Sequence, residues 1–194
     1  GTCFAYGLTE WQHLFTDRQL LSLNALSELV GNVSKQAQAD ALAAGWPVDD
    51  KSFEEGGAGP KAYGEAVATY LAMVVDRCAD FNNTLNGWRA GNEKIMNLFS
   101  RQSIPMVWDY TVVNPFYSIG GSFEKGLQMV ANALIGIPAN SPDSEVLQKD
   151  AASGRLNYRN IVVSTDPPYY ENIGYADLSD FFYIWLRRSL STVY

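Results

Sequence analysis

The 194-residue chain holds two cysteines and a single histidine, and that scarcity excludes whole classes of chemistry. Cys3 and Cys78 lie far apart with no Cys-x-x-Cys pair, so neither a zinc ribbon nor a histidine-based metal site can be assembled. No metal is expected. A histidine-dependent catalytic triad would have to pass through His13, which sits between Gln12 and Leu14 just before a predicted helix and is read as a surface or packing residue. Two cysteines fit a reducing compartment. Basic residues are also few: 14 Lys and Arg against 21 Asp and Glu give a net charge of −7. No stretch collects enough of them for a phosphate-binding stripe, which argues against strong nonspecific nucleic-acid binding by this chain alone. The clearest apolar run, residues 68–75, is too short for a membrane span and is broken by Thr69, and the first residues have no leader pattern. The expectation is a soluble, cytoplasmic protein with no membrane partner.

Hydrophobic residues make up 47% of the chain and charged residues 18%, so folding by burial is expected, as one domain or as a piece of a larger one. The first element is marked by Phe15-Thr16-Asp17-Arg18-Gln19-Leu20. Thr16 can cap a helix, Gln19 can reach back to it, and Phe15 can staple onto Leu20. Apolar residues then recur at Leu20, Leu23, Leu26, Leu29 or Val30, Val33 and Ala37 until Gly45-Trp46-Pro47, which predicts a helix over much of 17–44. The polar, glycine-rich stretch 48–60 is expected to be a mobile surface loop; it lacks the preceding strand and the Gly-Lys-Ser/Thr of a phosphate cradle. A second helix carries Tyr63, Ala66, Val67, Tyr70, Leu71, Val74, Cys78 and Phe81 on one side, with Cys78 read as core.

Beyond a turn-rich segment, a short helix is predicted near 93–101, a strand over 104–113, a helix over 122–135 and a short helix within 143–152. The β-branched run Ile161-Val162-Val163-Ser164-Thr165 has the character of a strand covered on both faces. Helices mixed with a buried strand define an α/β class. In outline, a helical region covers about 15–137, a polar connection about 138–158, and a strand, motif and helix about 159–194.

Directly after that predicted strand stands Asp166-Pro167-Pro168-Tyr169. At average residue usage such a fixed tetrapeptide falls by chance in about one chain in a thousand of this length. In open α/β sheets, ligands bind beyond the carboxyl ends of strands, which is where these residues would lie. The residue types suit methyl transfer to an exocyclic amino group on a planar ring. That nitrogen is a poor nucleophile because its lone pair is delocalised into the ring. Two acceptors aimed at its hydrogens favour a pyramidal nitrogen, and the Asp166 carboxylate with the Pro167 carbonyl could serve. Consecutive prolines lack N–H groups and keep the turn out of a helix, so its carbonyls stay available to a ligand. Tyr169 could stack on an extruded base. The plainer alternative is a rigid exit from a strand with Tyr169 in the core.

The run from Ser164 to Leu190, which includes Tyr170-Glu171-Asn172-Ile173-Gly174-Tyr175 and Phe181-Phe182-Tyr183-Ile184-Trp185-Leu186-Arg187-Arg188, resembles the large bacterial and archaeal adenine-specific DNA methylases that carry a zinc-ribbon insertion. Similarity extends to Leu14-Phe15-Thr16-Asp17-Arg18-Gln19-Leu20-Leu21, to Arg101-Gln102-Ser103-Ile104-Pro105-Met106-Val107-Trp108-Asp109-Tyr110 and to Asn114-Pro115-Phe116. The resemblance implies a helix-rich fragment of a Rossmann-like, S-adenosylmethionine-dependent methyltransferase fold. It also implies DNA as partner and adenine N6 as acceptor, with Asp166, Pro167, Pro168 and Tyr169 catalytic. Tyr169, Tyr170 and Asn172 are close enough to the motif to contact substrate.

Two departures from the family pattern stand out: the zinc-ribbon cysteines are absent, and so is an Asp-Pro-Phe-x-Gly-x-Gly cofactor segment. Asn114-Pro115-Phe116-Tyr117-Ser118-Ile119-Gly120-Gly121 mimics the latter, making Asn114, Phe116 and Gly120 candidate cofactor contacts. The expectation is therefore a C-terminal part of a longer enzyme, inactive alone and completed by a missing N-terminal portion or by a second copy. Downstream, Leu178, Phe181, Phe182, Trp185, Leu186 and Leu190 share one helical face, read as core, with Asp177 as cap. Arg187 and Arg188 are read as phosphate contacts, partners of the helix C-terminus, or solvated charges. Cytosine N4 or an RNA amino group remains an alternative acceptor, and a non-catalytic helical interaction module is the alternative of another class.

Overall fold

The computed structural model describes residues 2–100, 103–138, 144, 146, 147, 149, 150, 152, 161–167, 169 and 174–194. Its helices are α1 (Thr2–Ala5), α2 (Asp17–Ala43), α3 (Pro60–Phe81), α4 (Phe123–Ile135) and α5 (Tyr175–Ser189). One two-stranded antiparallel sheet, β1 (Trp88–Arg89) and β2 (Lys94–Ile95), separates α3 from α4.

Local chemistry explains where the long helices begin and end. The Gln19 amide donates to Thr16 Oγ1 at 3.2 Å while the Thr16 amide donates to Gln19 Oε1 at 2.9 Å, the reciprocal cap anticipated from sequence. Gly45, at φ +81°, turns the chain out of α2. Pro60 opens α3, where its missing N–H leaves no hydrogen bond unmade.

α2 and α3 lie antiparallel. At one end the Thr84 amide and hydroxyl both donate to the Leu14 carbonyl, at 2.7 and 3.0 Å. At the other, Ser34 Oγ donates to the Gly64 carbonyl at 2.9 Å. The helices approach so closely there that a Cβ on Gly64 would fall 2.4 Å from Gln38 Cγ and 2.6 Å from the Ser34 carbonyl oxygen. Small residues are buried on both helices, Ser27 and Ser34 on α2 and Ala68, Ala72 and Ala79 on α3. The predicted apolar faces are therefore shifted. Val30 is buried but Leu29 and Val33 are exposed, and on α3 Tyr63 and Tyr70 face outward while Cys78 is buried as expected.

α5 packs on both α2 and α3. Phe181 is fully buried, its ring 5.1 to 6.0 Å from those of Trp11, Phe15, Phe99 and Phe182, and Trp185 meets Phe15 edge-on at 5.5 Å. The aromatic face of this helix is core, as its spacing implied. Gly174 takes the cap position, which places residue 177 within the first turn of the helix.

Several expectations are corrected. No helix forms over the described residues 93–100: Glu93 is left-handed at φ +47°, and the Leu98 and Phe99 amides donate to the carbonyl and carboxylate of Asp80 at 2.8 and 3.1 Å. Residues 104–113 form no strand, because the side-chain amide of Asn86 takes the strand partner's place, accepting from the Thr111 amide and donating to its carbonyl, both at 2.8 Å. α4 forms as expected, with Ser122 Oγ accepting from the Lys125 amide at 3.2 Å. It reaches α3 through Gly121, at φ +84°, where a Cβ would lie 2.5 Å from Phe81 Cβ.

Residues 161–165 were expected to be a buried strand; they are exposed and belong to no strand. With no described strand beside them, their main chain has no ladder to join. The helix predicted within 143–152 is not seen at the described residues of that stretch: 144, 146, 147, 149 and 150 have no regular structure and 152 lies in a turn. The chain is thus helix-rich with one small sheet, and no parallel Rossmann-type sheet is formed among the described residues. No helix among them is long and apolar enough to cross a membrane.

Candidate functional site

Asp166, Pro167 and Tyr169 stand on the surface ahead of α5, outside regular structure. Tyr169 is 67% exposed, so the alternative in which it fills the core fails. No hydrogen bond or ring contact ties Asp166 or Tyr169 to another described residue, and neither lines a described cavity. Pro168, Tyr170 and Asn172 lie outside the described residues.

The cofactor candidates divide. Asn114 Oδ1 accepts from the Phe116 amide at 3.0 Å, an Asx-type turn that leaves the Phe116 ring exposed. Asn114 and Phe116 line a cavity of about 360 Å³ together with Arg18, Gln19 and Ser22 of α2. Gln19 is 8% exposed; its Oε1 serves the Thr16 cap, and its Nε2 is buried without a partner. Gly120 lies outside this cavity with open space around it.

A larger cleft, about 800 Å³, runs between α2 and α5. Its lining includes Trp11, Phe15 and Trp185, with Ser27 of α2 and Ser189 of α5. Both serine hydroxyls are buried without a partner. At the rim Arg188 Nη2 pairs with Glu28 Oε1 at 2.9 Å, while Arg187 lies over the Tyr183 ring at 5.8 Å.

The remaining reactive residues have structural roles. His13 Nδ1 faces the amides of Thr9 and Glu10, each at 3.3 Å, and so closes the short turn Trp11–Leu14. Burial pushes the Cys78 thiol up to about 12 and also raises Cys3, which makes both poor nucleophiles. In the 48–60 loop the amides of Ala58 and Lys51 donate to Asp49, and the amide and hydroxyl of Ser52 donate to Glu55. These bonds hold both carboxyls below the usual range. The loop's own carboxylates therefore occupy the amides that a phosphate would need.

Gln19, Ser27 and Ser189 were not singled out as cavity-lining residues from sequence. The only trace of the seam is the seven-residue spacing of Ser27 and Ser34 on one helical face. No family model, curated protein or solved structure matches the chain.

Proposed function

We propose that the chain is part of an S-adenosylmethionine-dependent methyltransferase acting on the N6 amino group of adenine in DNA. The observation that carries the reading is Asp166-Pro167-Pro168-Tyr169, with Asp166 and Tyr169 exposed and unengaged by other described side chains. A carboxylate already held by neighbouring donors could not accept the hydrogens of a substrate amino group; this one is not so held. In the proposed reaction Asp166 and the Pro167 carbonyl accept the two amino hydrogens and favour the pyramidal nitrogen. Tyr169 offers an aryl face to the extruded base.

S-adenosylmethionine supplies the methyl group when bound. The cavity beside Asn114 and Phe116 fits such a group only in part: the exposed Phe116 ring can cover a flat heterocycle, but the Gln19 Nε2 is fully buried. Gly120 has no place in that fit.

One observation favours a second reading, a helical interaction module. α2, α3 and α5 close their core around Phe181 without using residues 161–167 or 169. The two readings separate in the complete enzyme carrying Asp166→Ala, assayed for methyl transfer to matched adenine-containing DNA and RNA. Loss of about 10²- to 10³-fold in rate on DNA is expected, by analogy with removing one preorganised transition-state hydrogen-bonding group. A near wild-type rate would refute the assignment, and product on RNA alone would move the substrate.

A further inference from the structure

We propose that the β1–β2 hairpin is a contact for the phosphate backbone of duplex DNA, with Arg89 and Lys94 as the binding pair. The inference rests on the reading of DNA as the substrate, and it concerns how the duplex is held, not how the base is methylated.

The register of the hairpin carries the argument. Trp88 lies opposite Ile95 and Arg89 opposite Lys94, an alignment set by the turn Ala90–Asn92 and closed by Glu93 at φ +47°. Residues directly opposite each other in a two-stranded ribbon share a face with their Cβ atoms about 5 Å apart, so two cations placed there repel. Both are exposed, and neither forms an ion pair with a carboxylate among the described residues, Glu93 in the turn included. A phosphate seated between them converts that repulsion into two charge-assisted contacts. Sequence alone hides the pair, because the turn separates its members and only strand pairing brings them together.

Shape and placement select the duplex. Gly87 and Gly91 have open space around them, and Trp88, on the other face of the ribbon, is 55% exposed, so the hairpin stands clear of the helices. The major groove of B-form DNA admits a two-stranded ribbon, whereas that of A-form RNA is too narrow. The outgoing strand leads to Phe99, whose ring meets those of Phe181 and Phe182 at 5.1 and 5.2 Å. Those residues belong to α5, the helix that follows Asp166-Pro167-Pro168-Tyr169 in the chain. Hairpin and motif are thus attached to one helix.

Two phosphate contacts contribute about 1.8 to the dependence of log affinity on log salt, or about twelvefold between about 50 and 200 mM. A contribution of that size positions a duplex without making an acidic chain a strong nonspecific binder.

Fluorescence anisotropy of a short labelled DNA duplex, and of the RNA duplex of the same sequence, titrated with the chain over this salt range tests the contact. DNA should bind with a dissociation constant below about 100 µM at the low-salt end, and RNA more weakly. Arg89→Gln and Lys94→Gln should each lower the salt slope by about 0.9. Arg89→Glu, which can pair with Lys94 across the ribbon, should remove the contribution of both. All three variants should melt at or above the wild-type temperature, because each relieves the like-charge pair. Absence of DNA binding at low salt, an unchanged slope in the variants, or RNA bound as tightly as DNA overturns the inference. An unchanged slope leaves the methyltransferase reading to the Asp166→Ala assay, since neither cation belongs to the motif.

Discussion

Asp76 offers a direct test of how this helical core handles charge. It lies on α3, 9% exposed, with Oδ1 unpartnered, and burial raises its carboxyl from 3.8 to about 7. Between those two values the native chain keeps a proton that the unfolded chain has released. Stability then falls as pH rises through this window, and once Asp76 ionises in the native state the loss is complete. The raised carboxyl corresponds to about 4 kcal/mol between pH 4 and pH 8. Asp76→Asn has nearly the same shape and cannot ionise. Its amide adds a roughly pH-independent cost of about 1–3 kcal/mol if its N–H groups find no acceptor. Urea denaturation of both proteins at closely spaced pH values isolates the effect, because every other titrating group cancels in the difference. The variant should be the less stable protein near pH 4 and gain on wild type by about 4 kcal/mol by pH 8. Parallel stability curves across that range would refute the desolvation argument.

Two further substitutions examine the packing. Gly64→Ala places a methyl group against Gln38 and the Ser34 carbonyl; separating the α2–α3 seam should cost about 1–3 kcal/mol, and a variant as stable as wild type in chemical denaturation would show that the seam yields freely. Asn86→Ala removes both hydrogen bonds to Thr111 and the one to the Phe81 carbonyl, and leaves half-buried backbone groups unpaired, for an expected loss of about 2–4 kcal/mol. Hydrogen exchange at the Thr111 amide should accelerate more than exchange within α2, and uniform acceleration would mean that Asn86 supports the whole fold and not this segment alone.

Asp80 shows why the region after α3 differs from its sequence pattern. Its carboxylate accepts from the Asn97 side chain and the Phe99 amide while its carbonyl accepts from the Leu98 amide, drawing that segment onto α3 and away from a helix of its own. Burial nonetheless leaves its carboxyl raised above the ordinary value. Such long-range capture has no local signature, since neither Asp80 nor the residues it binds are unusual in their own windows.

The candidate site divides along the same line. Asp166-Pro167-Pro168-Tyr169 is legible because it is four consecutive residues, whereas the cavities beside Gln19 and between α2 and α5 become visible only when separate elements meet. Asn114 and Phe116 occupy a cavity because α2 lies beside their turn; Gly120, only a few residues on, does not share it.

Sequence alone determined the start of α2 through Thr16 and Gln19, its stop at Gly45, the existence of a helix over 122–135 and the core role of Phe181 and Trp185. Each depends on hydrogen bonds or periodicity within a few turns of one segment. Only the tertiary structure decided that Ser27 and Ser34 would be buried while Leu29 and Val33 stayed outside, that Asn86 would stand in for a strand, and that residues 161–165 would lie exposed. The reason is physical: a hydrophobic pattern states which side chains gain from burial, but the closeness of a neighbouring backbone decides which of them can fit.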